Sequence, residues 1–200
     1  MDIRQLSIHY HVEQDRILIR VNSSAGDEVR MWLTRRMAQR LWPLINQVVV
    51  DHFAVPANAQ TDGGVDLAAI GPQTRALLAD ARREEAVQNA DFNTPYRDTA
   101  TRRPLGDTPL LVTEINLTPK GDGVMHMNFR ELLEDPPSTR SFQLDLPADM
   151  VFAVIQLLGK ALEQAEWNFC TTAAMPLKLE DQVVDEADFA PDAPRPTYLN

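Results

Sequence analysis

"RMWLTRRMAQRLWPLI", Arg30 to Ile45, changes its hydrophobic period from two to about 3.6 within a few residues. Before the change, Met31 and Leu33 continue an alternation begun at Val29, with Arg30 and Trp32 between them, as one buried face of a strand would require. After it, Met37, Leu41, Leu44, Ile45, Val48 and Val49 recur three and four residues apart, the stripe of an amphipathic helix ending near Phe53. Thr34 stands at the junction, where its hydroxyl can accept from a free N–H of the first helical turn. Pro43 removes one backbone donor inside the helix, which predicts a kink or a restart there.

Toward the N-terminus, "LSIHYHV" alternates Leu6, Ile8, Tyr10 and Val12 with polar residues, and "RILIRV" follows the polar "EQD". The turn-forming "NSSAGD", with Gly26 free to take positive φ, then leads into "EVRMWL". A three-stranded antiparallel meander results, its inward set being Ile8, Tyr10, Val12, Ile17, Ile19, Val21, Val29, Met31 and Leu33.

Toward the C-terminus the plan recurs as "LLVTEINL", the turn "TPKGDG", "VMHMNFREL", the connector "EDPPSTR", then "SFQLDL" and a helix opening at Pro147. Placing Leu33 on Leu146 without a gap sets Val29 on Phe142, Met31 on Leu144, Met37 on Met150, and Leu44 and Ile45 on Leu157 and Leu158. The match lies in apolar pattern, so an internal structural repeat competes with chance recurrence of a common unit. The fold class expected is α+β: two β-β-β-α halves in pseudo-twofold arrangement, joined by a helical connector. The halves span 1–57 and 108–170, with the connector and a polar loop at 58–107 and an acidic, Pro-rich tail at 171–200, together forming one compact domain. In the connector a helix is expected from Pro72, a favourable first helical residue, to Ala90. "NTPYRDTATRRPLGDT" after it has no periodicity and reads as a loop. The segment from Met150 to Leu158 is apolar nearly all round, so its helix must be covered on more than one side, by the other half's sheet or by a second copy.

At 44% hydrophobic and 24% charged, the 200 residues have the composition of an ordinary globular protein. No secretory leader and no run of roughly 18 to 20 apolar residues is visible, so a cytoplasmic protein without membrane contact is expected. The single Cys170 reads as a buried thiol. Net charge is −10, which opposes wrapping of nucleic acid by the whole surface, but the charge is uneven. Residues 1–57 carry seven Arg against six acids, whereas 108–170 carry four bases against nine acids.

Three constellations carry possible chemistry. His9, His11 and Glu13 would share one strand face and could offer three metal ligands to a metal-dependent enzyme, although the order departs from the histidine pair of cupin sites. A solvated sheet face is the competing explanation. Arg16, Arg20 and Arg30 would surround Trp32 on the outer face of the first meander, a set that can neutralise phosphates and stack a base. The competing explanation is that Trp32 packs under the connector while the arginines pair with nearby acids. Arg35, Arg36 and Arg40 fall in the first turns of the helix, where cations oppose the macrodipole and an anionic partner or the acidic tail would relieve them.

No glycine-rich phosphate loop, nucleophile elbow or paired-cysteine motif appears, which favours binding or scaffolding over catalysis and calls for no cofactor. The partner expected is a second protein or another copy of the chain, with single-stranded nucleic acid as the alternative. The tandem sheet-then-helix layout over Leu6–Phe53 and Leu110–Phe169 resembles the Whirly-type single-stranded-DNA-binding architecture, whose members repeat a four-strand-plus-helix unit. The likeness implies nucleic-acid binding. This chain shows three strands per half and lacks the Lys-Gly-Lys-type signature of the plant members, so no binding residue carries over.

Overall fold

A computed structural model of the chain describes residues 2–55, 69–92, 94–98, 100–120, 123–134 and 137–167. The expected tail at 171–200 and Cys170 lie outside the described residues. Among the described residues the fold is α+β, with two sheets and three helices. β1 (Ile3–His11), β2 (Arg16–Ser23) and β3 (Glu28–Thr34) form the antiparallel meander, and α1 (Arg35–His52) follows directly. Thr34 caps α1 by accepting from Met37 N–H at 3.3 Å, and the helix runs without a break through Pro43. Connector helix α2 (Pro72–Asn89) begins on its proline.

The expected strand Leu110–Leu117 is divided between two sheets. β4 (Leu110–Leu111) pairs in parallel with β3, whereas β5 (Glu114–Pro119) opens the second meander with β6 (Val124–Glu134) and β7 (Pro137–Pro147). Adjacent residues make the crossing: Val112 N–H donates to Trp32 O at 3.0 Å in the first sheet, and Thr113 N–H to Arg130 O at 2.9 Å in the second. A chain changing sheets must spend its successive backbone donors on different partners, and this one leaves neither unpaired. β7 also starts earlier than expected, so Pro137–Arg140 belong to the sheet rather than to a connector. The last helix, α3 (Ala148–Ala165), follows β7.

The inner faces of both sheets close on one core. Ile8, Ile19 and Met31 face Met127, Phe129 and Leu144, with Leu41 of α1 and Leu158 of α3 between them. α3 lies chiefly on β1 of the other meander and packs beside α2, which covers most of its apolar circumference within one chain. α1 touches β5 as well as its own β3. Gly159 permits close approach of these helices, since a Cβ there would sit 3.2 Å from the Trp42 ring. Of the nine inward residues expected in the first meander, seven are buried. Tyr10 is partly buried at the core edge, and Val12 is 73% exposed because the chain leaves β1 after His11 for the 3-10 turn Val12–Gln14.

Candidate binding surfaces on the first sheet

Register sets the outer face of the first sheet as four cross-strand rows: Gln5, Asn22 and Glu28; Ser7, Arg20 and Arg30; His9, Leu18 and Trp32; His11, Arg16 and Thr34. The two rows nearest the β2–β3 turn are roofed by residues 94–107. Arg20 stacks on the Tyr96 ring, 4.1 Å from its centroid, and donates to Ser7 Oγ at 3.3 Å. Asn22 donates to Arg97 O at 3.0 Å. The Glu28 carboxylate is only 2% exposed; Tyr96 OH donates to it at 3.0 Å and Arg103 Nε at 3.2 Å, with Arg30 Nε at 3.8 Å. Arg30 also donates to Asp107 O. Burial and the hydrogen bond to Glu28 push the Tyr96 hydroxyl well above its ordinary titration range. The region expected as a loop is thus held by polar clamps, and Arg20 and Arg30 are structural cations.

The other two rows form a corner. Trp32 is half-buried, with its ring edge-on to His11 at 5.6 Å between centroids. Arg16 stands opposite both His11 and Thr34. Arg35 donates to Trp167 O at 3.1 Å. Trp167 Nε1–H donates to Asp15 at 2.8 Å and Tyr10 OH at 2.9 Å, and these bonds hold the Asp15 carboxyl below its ordinary range. Arg36 and Arg40 lie one turn apart on the exposed side of α1. Among the described residues Arg16, Arg36 and Arg40 make no ion pair. Of the residues expected to act together, Arg16 and Trp32 lie on the uncovered rows of the sheet, Arg35 and Arg36 open α1 directly after β3, and Arg20 and Arg30 belong to the roofed half.

The three-ligand reading of His9, His11 and Glu13 needs correction. Glu13 is in the turn, not on the strand face, and its carboxylate pairs with His11 Nδ1 at 2.9 Å. Among the described residues no three His, Cys, Asp or Glu side chains converge to hold a metal.

A second surface was not anticipated. A cleft of about 370 Å³ runs between β1, α3 and residues 90–92 and 94–96. It is lined by six successive residues, Arg4 to His9. Strand side chains alternate, so such a lining follows the free edge of β1. The legible signal was the excess of apolar residues on α3, since Met150, Ala153 and Leu157 are the part of that helix facing the cleft.

No protein family matches the chain, and neither a curated protein nor a solved structure matches it. No helix among the described residues is long and apolar enough to cross a membrane.

Proposed function

We propose that this is a non-enzymatic binding protein that docks an acidic macromolecular partner on the corner formed by Arg16, Arg36 and Arg40, with Trp32 beside them. The observation that carries the reading is the contrast in counter-ions. Arg30, Arg103 and Arg140 each reach a carboxylate, whereas the three corner arginines reach none among the described residues. Two of them also sit near the positive end of α1, where an incoming anion gains from the helix dipole.

Anisotropy titration of a labelled polyglutamate peptide and of mixed-sequence single-stranded DNA, at low and moderate salt, tests this. The peptide should bind with affinity falling as salt rises, and Arg16→Glu with Arg36→Glu should weaken it roughly tenfold while leaving thermal stability unchanged. Absence of peptide binding at low salt overturns the reading. Half-exposure of Trp32 favours a second reading, single-stranded nucleic acid stacked on its ring. That reading prevails if the DNA binds more tightly than the peptide and Trp32→Ala costs more than the charge reversals.

A further inference from the structure

We propose that the cleft along β1 is a binding site for a small carboxylate-headed amphiphile, its apolar body against α3 and its head at Arg4. The site is separate from the basic corner and does not depend on the acidic-partner reading. One wall is apolar: Leu6, Ile8, Phe92, Met150, Ala153 and Leu157. Apolar surface left beside a narrow opening gains most from an occupant that removes it from water. The cleft volume of about 370 Å³ suits a molecule of modest size, at the lower end of small-molecule sites.

Among the described lining residues the one cation makes no ion pair and the one carboxylate is engaged within its own loop. Arg4 is exposed and makes no hydrogen bond or ion pair among the described residues. The acid on the opposite rim, Asp91, accepts from Thr94 N–H at 3.0 Å and from the Thr94 hydroxyl at 2.5 Å, so it is turned to its own loop. Gln5 Oε1 accepts from Arg97 N–H at 3.2 Å, which leaves the Gln5 amide nitrogen as a donor. β1 is an edge strand, so its unpaired side presents backbone N–H groups that a carboxylate can accept from, alternating with C=O groups. Burial, followed by the nearby Arg20 cation, lowers the His9 pKa, so His9 offers a neutral ring rather than a second charge at pH 7. Among the described lining residues Arg4 is then the one cation that selects an anion over a neutral or cationic head, with Lys160 lying 5.4 Å from the Phe92 ring centroid nearby.

The test titrates the full chain with decanoate, 1-decanol and decyltrimethylammonium, by calorimetry and by NMR of the Met150 methyl and the Ser7–His9 amides. Decanoate should bind saturably at one site in the millimolar range or tighter and move those resonances, with the other two probes weaker. Arg4→Glu should reduce decanoate affinity by about tenfold or more, because it replaces a charge-assisted contact by repulsion. Ala153→Trp should fill the cleft and abolish binding. If that variant loses its circular-dichroism signature, Arg4→Glu and the Met150 shift decide alone. Absence of saturable decanoate binding overturns the proposal, as does equal binding of all three probes that Arg4→Glu leaves unchanged.

Discussion

The two meanders share an order of elements and differ in what their outer faces do. On the second sheet the outer charges are matched on the face itself: Arg130 reaches Glu114 at 3.1 Å, and Lys120 and His126 both reach Asp145, at 2.8 and 2.7 Å. On the first sheet a chain segment is laid over half the face, where Arg103 pairs with Glu28 and Tyr96 stacks on Arg20, and the remaining half keeps Arg16 without an ion pair among the described residues. Each sheet also buries one glutamate. Glu28 lies on the outer side of β3 beneath residues 94–107, whereas Glu131 lies on the core side of β6, 1% exposed. Arg140, its register partner, donates to both Glu131 oxygens at 2.8 and 2.7 Å and also to Leu105 O, Thr108 O and Pro109 O. Glu131 accepts from Leu111 N–H at 2.6 Å as well, so one carboxylate ties β4 of the first sheet to the second. The difference teaches that Glu28 holds a roof and Glu131 holds the sheets together.

The sharpest way to break this contrast is to remove each carboxylate. Glu131→Ala leaves the part-buried Arg140 guanidinium without its counter-ion and the Leu111 N–H without its acceptor, and should cost about 3 kcal/mol or more of global stability in chemical denaturation. Glu28→Ala should cost less, with faster amide exchange confined to residues 94–107. Equal losses with exchange spread over both sheets would erase the distinction. Next in size is Gly26→Ala. Gly26 has φ +82, and a Cβ there would lie 2.9 Å from Thr101 Oγ1, so left-handed strain and a displaced roof contact together should cost about 1 to 2 kcal/mol. Gly106, at φ +84 with open space where a Cβ would stand, isolates the strain alone, so its alanine variant should lose less.

The smallest effects are in pH. His9 titrates below 6.5 when folded, so between that lower value and 6.5 the unfolded chain binds more protons and stability rises with pH. His9→Gln should flatten this part of the melting profile, and the His9 ring resonance should titrate with a midpoint under 6.5. Asp145 acts in a more acid window. Lys120 first, then His126, hold its carboxyl below 3.8, so its contribution is complete above 3.8 and vanishes as pH falls through its folded value. Asp145→Asn should therefore alter stability only where the carboxylate is ionised.

Much of the local structure was legible in the residues. Alternation at Val29, Met31 and Leu33 placed β3, Thr34 placed the start of α1, and Pro72 placed the start of α2. The outer-face arithmetic of the first meander set Arg16, Arg20, Arg30 and Trp32 on one face, but it could not show that a distant segment covers Arg20 and Arg30. Arg4 and the cleft went unseen, because the cleft is made by three segments far apart in the chain. Glu131 was equally hidden, being a charge at an apolar position of a strand whose neutralising partner comes from the next one.

The sequence by itself determined the elements, the side of each that is apolar, and the α+β class, because these follow from short-range periodicity and from the backbone needs of helix ends. Only the tertiary structure decided that Leu110–Leu117 serves two sheets, that α3 is covered by the other meander, and that the segment after α2 covers half of the first sheet's outer face. Those outcomes depend on which distant donors and apolar surfaces can be satisfied together, and such long-range pairing leaves no periodic trace along the chain.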